Sequence, residues 1–135
     1  MRFVKEIDPI YGELSYPAAY LRDVKIYFMH YDSEEEAREA WKRRKARINW
    51  DNIFIMYTDR SYCTQEDLEA FDKAPYNNKV VFTHVAHPEI KSSFYIKGYE
   101  NEGKVGILSK FEDEQFPIKR IIDRFDLVTW LNRGM

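Results

Sequence analysis

The sequence predicts an α/β protein: a parallel or mixed sheet made of strand–helix–strand units, then a short hairpin and C-terminal helices. Three observations lead there. Three short apolar runs, Val24–Met29, Ile53–Tyr57 and Lys79–Thr83, have strand length and composition. Between them lie two segments of helical periodicity, each opened by a capping pattern, Ser33 to Glu36 and Thr64 to Asp67. The connecting loops are short, so the units 24–58 and 52–84 read as successive right-handed crossovers with parallel strands.

Along the chain, Arg2 to Glu6 reads as a short strand. Asp8 to Pro17 reads as a loop, punctuated by Pro9, Gly12 and Pro17. After the strand Val24–Met29, the Ser33 hydroxyl is placed to accept from the Glu36 N–H. Glu34, Glu35 and Glu36 suit the positive end of the helix dipole, and Lys42 to Arg47 suit the negative end. The inner stripe of this helix is Ala37, Ala40, Trp41 and Ile48. Arg44 falls on the same stripe. Its guanidinium there either pairs with a nearby acid, Asp51 or Asp59, or binds an anion.

Asn49-Trp50-Asp51-Asn52 turns the chain into Ile53–Tyr57, whose unbroken apolar character predicts a central strand buried on both faces. Thr64 caps the second helix, and Leu68 and Phe71 form its inner face. Ala74-Pro75 ends it, and Asn77-Asn78 leads into Lys79–Thr83. Ser93–Lys97 and Lys104–Leu108, separated by a loop with Gly98 and Gly103, read as a hairpin. Pro117 suits the first turn of a helix carrying Ile118, Ile121, Ile122 and Phe125, and Asp126 caps a last helix, Leu127 to Leu131.

A chain of 135 residues reads as a single domain, 1–135. The formal charge of -2, from 21 basic and 23 acidic side chains, argues against a general nucleic-acid binder. One cysteine excludes an intramolecular disulfide framework. No apolar run approaches the ~20 residues of a membrane span, and no secretory h-region opens the chain. A cytoplasmic location is therefore expected. The 10 Tyr, 9 Phe and 3 Trp read first as core and rim.

Chemistry-bearing residues cluster where the strands end: His30, then Thr58-Asp59-Arg60, then Thr83-His84. Ligands of open α/β sheets bind beyond the carboxyl ends of the strands. If the three strands are neighbours, His30, Asp59, Arg60 and His84 share one rim. Asp59, His84 and His30 are thus the candidate catalytic residues, and Arg60 with Arg44 the candidate ligand-binding pair. Asp59-Arg60 can equally be a self-satisfied turn pair. His84 and His87 form H-x-x-H, but nothing completes a zinc site and no metal is expected. Cys63 precedes a helix cap, where thiols acidify. It also holds the position that packs on Leu68, which favours a structural role. The basic run Lys42–Arg47 reads as a solvated helix end. No G-x-G-x-x-G or P-loop pattern is present.

These residues also carry a resemblance. Tyr16-Pro17, the run IYFMHYDSEEEAREAWKRRKARINWDNIFIMYTDRSYCT, Glu69-Ala70-Phe71-Asp72, IKGY and Trp130-Leu131-Asn132 resemble a bacterial family of unknown function, domain-of-unknown-function family nineteen-nineteen. Its members are often labelled exopolysaccharide biosynthesis proteins. The R-I-N-W-D-N segment is the most specific part. The resemblance implies an α/β protein of surface-polysaccharide synthesis that transfers a sugar or acyl group from an activated donor. The implied small-molecule partners are a nucleotide-activated donor and a saccharide. It further implies that relatives carry an N-terminal portion ahead of the region matched here. An exposed sheet edge would then favour a homo-oligomer, or a non-catalytic accessory module that binds a partner.

Overall fold

The computed structural model describes Met1–Arg133 and bears out the α/β class. The chain divides into two compact units, Met1–Asn49 and a second from Trp50 onward, each with its own three-stranded sheet.

The first unit holds strands β1 (Arg2–Val4), β2 (Ala18–Leu21) and β3 (Val24–Tyr27), followed by helix α1 (Glu34–Ala46). All three strands are antiparallel, in the order β1-β2-β3. The expected parallel position of β3 beside Ile53–Tyr57 is therefore not taken. β2 and β3 close a hairpin at Arg22-Asp23, with Leu21 opposite Val24 and Arg22 at φ 57. Two-residue hairpins favour positive φ in the turn because it matches strand twist. This local pairing closes a far shorter loop than a parallel crossover does. Ser33 caps α1 by accepting from Glu36 N at 3.2 Å. The Glu36 carboxylate reaches back past Ser33 and accepts from Asp32 N at 3.2 Å. Ala19, Phe28 and Ala37 form the core, and Trp41 stands edge-on to Phe28 at 6.1 Å.

Asp8 organises the polar side of this unit. Its Oδ1 accepts from Ile10 N (2.8 Å) and Tyr11 N (2.9 Å), and its Oδ2 accepts from Lys25 Nζ (2.6 Å) and Tyr27 Oη (2.8 Å). Lys25 also donates to Glu6 at 2.8 Å. The Lys25 ammonium, aided by the backbone donors, holds the Asp8 carboxyl well below its usual range. The same carboxylate, and then Glu6, raise Lys25. A depressed carboxylate contributes stability above its unfolded pKa of about 3.9 and loses it as pH falls through the lower folded value. A raised lysine contributes below its unfolded pKa of about 10.4 and loses it as pH rises through the folded value. Asp8→Asn is therefore expected to melt lower than wild type near neutrality and to lose less stability on acidification. Circular-dichroism melts at about pH 6 and about pH 2 check this; equal acid losses in the two proteins would refute it.

The second unit holds β4 (Phe54–Thr58), α2 (Gln65–Lys73), β5 (Asn78–Thr83), β6 (Ser93–Tyr95), a 3-10 turn (Ile121–Arg124) and α3 (Leu127–Asn132). Its sheet is parallel, ordered β4-β5-β6. The β4–α2–β5 crossover is the predicted unit 52–84. The central strand is β5, not β4: Val80 to Thr83 are buried, whereas Met56 and Tyr57 are exposed. A continuous apolar run does not by itself distinguish a centre strand from an edge strand. Thr64 and Asp67 make the predicted reciprocal cap, Asp67 N to Thr64 Oγ1 at 3.1 Å and Thr64 N to Asp67 Oδ2 at 2.9 Å.

Two C-terminal expectations are corrected. Ser93–Tyr95 pairs with β5, and Lys104–Leu108 forms no strand to complete a hairpin with it. The Val105 N–H is instead satisfied by the Asp59 carboxylate. Pro117 opens no helix. Ile121 N and Ile122 N donate to Lys110 and Leu108 carbonyls, while Phe116 and Ile118 stay exposed, so residues 108–122 fold back as a loop ending in the 3-10 turn. Asp126 caps α3 as expected, accepting from Thr129 N at 3.0 Å. The core is Val80, Phe82, Ile96, Val105, Ile121 and Trp130.

Candidate functional site

β4 and β5 run parallel with Thr58 opposite Phe82, and Asp59 N donates to the Phe82 carbonyl at 3.0 Å. The pairing thus continues one residue past β4 and sets Asp59 beside the end of β5. There its carboxylate meets His84. Asp59 Oδ2 lies 2.5 Å from His84 Nδ1 and accepts from His84 N at 2.9 Å. Asp59 Oδ1 accepts from Val105 N at 2.8 Å. The carboxylate is buried, at 3% side-chain exposure, while the imidazole is 21% exposed.

This geometry decides the tautomer. Two lone pairs at 2.5 Å would repel, so Nδ1 carries a proton directed at the carboxylate. In the neutral ring, Nε2 is then a free lone pair. A histidine held through Nδ1 by a buried carboxylate, with Nε2 available, has the arrangement of a general base.

Of the five expected site residues, the structure brings Asp59 and His84 into direct contact. Arg60 follows Asp59 and is exposed. His30 and Arg44 belong to the first unit, and β3 pairs in the antiparallel sheet β1-β2-β3, so it is not the strand neighbour of β4 that the expected rim required. His30 is exposed beyond β3. Arg44 is exposed rather than on the inner stripe, its guanidinium 5.9 Å from the Tyr31 ring centre. Both Asp59 oxygens are committed to His84 and Val105.

The other candidates resolve into structural roles. His87 Nδ1 lies 3.2 Å from Glu89 Oε1, which also accepts from Gln65 Nε2 at 3.0 Å. Among the described residues no group of three or more His, Cys, Asp or Glu is placed to hold a metal ion. Cys63 packs against the cluster of Leu68, Val81 and Ile90, and burial raises its thiol pKa, the opposite of what a nucleophile needs.

Sequence reasoning missed the third party to the site, the main-chain N–H of Val105. Its signal was weak: an apolar residue between Gly103 and Gly106. Gly103 has φ 70, and a Cβ on Gly106 would come within 2.6 Å of the Tyr99 ring. Those glycines let residues 97–108 fold close enough for Val105 to reach Asp59.

The family described as Domain of unknown function (DUF1919) matches residues 1–132. The chain belongs to this family. An uncharacterized protein of Haemophilus influenzae is 48% identical over 122 residues, covering 90% of this chain. The chain spans 58% of that relative's length. No solved structure matches. Among the described residues no helix is long and apolar enough to cross a membrane.

Proposed function

We propose that this chain acts in the cytoplasm in surface-polysaccharide synthesis, transferring a sugar or acyl group from an activated donor, with His84 as general base. The observation that carries the base assignment is the 2.5 Å contact from Nδ1 to a buried carboxylate, on an imidazole still partly open to solvent. Nε2 removes the proton of an acceptor hydroxyl. The oxygen bonds to the donor's anomeric or acyl carbon, and the diphosphate or thiolate leaves with the electron pair of the broken bond. Asp59 holds the ring and stabilises the imidazolium that forms. Arg60, one residue on, binds donor phosphate. The polysaccharide setting is what the resemblance in the sequence implies.

Thermal melts against nucleotide-sugars, nucleotides and acyl-coenzyme A test the donor class. A donor at a hundred times its Kd adds about 2.7 kcal/mol. Turnover of that donor is expected to fall about 10²–10⁴-fold in His84→Gln, at nearly unchanged Tm. Full turnover in His84→Gln, or no stabilisation by any donor, would defeat the proposal.

One observation favours a second reading. Both Asp59 oxygens accept backbone N–H groups, from His84 and Val105, which is how a carboxylate clips loops together. In that case the second unit is a non-catalytic accessory module. It predicts that His84→Gln is silent in every assay while Asp59→Ala unfolds.

A further inference from the structure

Asp59 does more than hold an imidazole: it ties three separate stretches of chain to one point. His84 is at 2.5 Å and Val105 N at 2.8 Å, and each brings its chain neighbours along. Consecutive Cα atoms lie about 3.8 Å apart, so Arg60 and Lys104, the neighbours of Asp59 and Val105, have main chains fixed close to the imidazole. Both side chains are exposed. Val105 is buried in the core, so the peptide that carries Lys104 is anchored from its far side.

The segment 97–108 is also held along its length. Arg124 Nη1 donates to the Lys97 carbonyl at 2.7 Å, and the Tyr99 ring packs on Gly106. Of its two acids, Glu100 accepts from Tyr95 Oη and Gly98 N, and Glu102 is exposed. Lys104 is thus carried on a segment that is preorganised, not on a free loop.

We infer that Lys104 and Arg60 form a cationic pair flanking His84, and that the site takes a phosphate-bearing ligand there, with Lys104 a specificity-determining residue. This rests on the reading of His84 as the base and names the charge of its substrate. The guanidinium gives fork-like recognition of phosphate oxygens, and the ammonium adds a point charge from the opposite stretch of chain. A neutral saccharide gains nothing from either.

The test is the imidazole nitrogen–proton spectrum of the ¹⁵N-labelled full chain, titrated with pyrophosphate, uridine diphosphate, glucose 1-phosphate and free glucose. The phosphate probes are expected to move the His84 signals saturably, and glucose to leave them in place. Lys104→Ala and Arg60→Ala should each weaken binding about tenfold or more, and Lys104→Arg should recover most of it. Preference for uridine diphosphate assigns the phosphate to a nucleotide-activated donor, and preference for glucose 1-phosphate to a phosphorylated sugar. Unmoved His84 signals with every phosphate probe, or wild-type affinity in Lys104→Ala, overturn the inference. The base assignment fails separately, through unchanged turnover in His84→Gln.

Discussion

Asp59→Ala is expected to lower stability by about 3–5 kcal/mol, a fall in Tm of roughly 10–20 °C. The carboxylate is 3% exposed and accepts from two main-chain N–H groups and one imidazole. Truncation leaves the buried Val105 N–H without an acceptor and the His84 donors underserved, and each orphan costs about 1–3 kcal/mol. It also cuts the tie between the β4 end, the β5 end and residues 97–108, so two-state loss of the second unit is the expected mode. Asp59→Asn separates clip from base. One oxygen remains an acceptor, but the amide donors then face a donor, either Val105 N–H or the His84 side. The cost should be smaller, about 1–3 kcal/mol, with the imidazole driven toward the tautomer that presents Nδ1 as acceptor. Chemical denaturation gives the first quantity and the ¹⁵N shifts of His84 give the second. An Asp59→Ala protein that melts within a degree or two of wild type would refute the hub.

The same carboxylate shows what a sequence can reveal about a site. Asp59 and His84 were legible because the β4–α2–β5 crossover is local: two apolar runs joined by a capped nine-residue helix pair here in parallel, so their carboxyl ends meet. Val105 was not legible because it contributes a main-chain group, and no side-chain chemistry marks which N–H will be captured. The pairing of the strand before His30 was misread for a different reason. That strand has a partner, β2, announced by Arg22-Asp23 instead of the Asn-Gly or Asp-Gly that usually signals a two-residue turn. Without that hairpin, Val24–Tyr27 reads as a candidate for parallel pairing. Helix caps were the most legible feature, since Ser33, Thr64 and Asp126 each satisfy their own helix through three-residue contacts. Pro117 misled because a proline at a first turn is compatible with a helix but does not require one. Ile118 is exposed while Ile121 is buried, so the apolar residues of this segment do not share the single buried face that would repay helix formation from Pro117.

Phe82→Ala is expected to cost about 3–5 kcal/mol, as large as any substitution in the second unit. Phe82 is fully buried on the central strand. Its ring stands edge-on to Phe125 at 5.3 Å and to Phe94 at 6.0 Å, and Phe125 continues to Trp130 at 5.5 Å. Removing it opens a cavity that rigid aromatic neighbours cannot collapse to fill, so the cavity penalty adds to the lost transfer energy. Phe82→Leu keeps most of the volume and should cost about 1–2 kcal/mol. Urea denaturation checks both: the midpoint is expected to fall with the slope m retained, because the surface exposed on unfolding barely changes. A Phe82→Ala loss under about 1 kcal/mol would mean that this ring cluster does not hold the sheet together. The site should feel the change as well. The Phe82 carbonyl accepts from Asp59 N at 3.0 Å, and His84 follows two residues later, so a loosened β5 loosens the seat of the Asp59–His84 pair. Phe82→Ala and Asp59→Ala share this strand end, and their costs are therefore expected to combine to less than their sum. Strict additivity in the double variant would place the aromatic core and the polar site on independent footings.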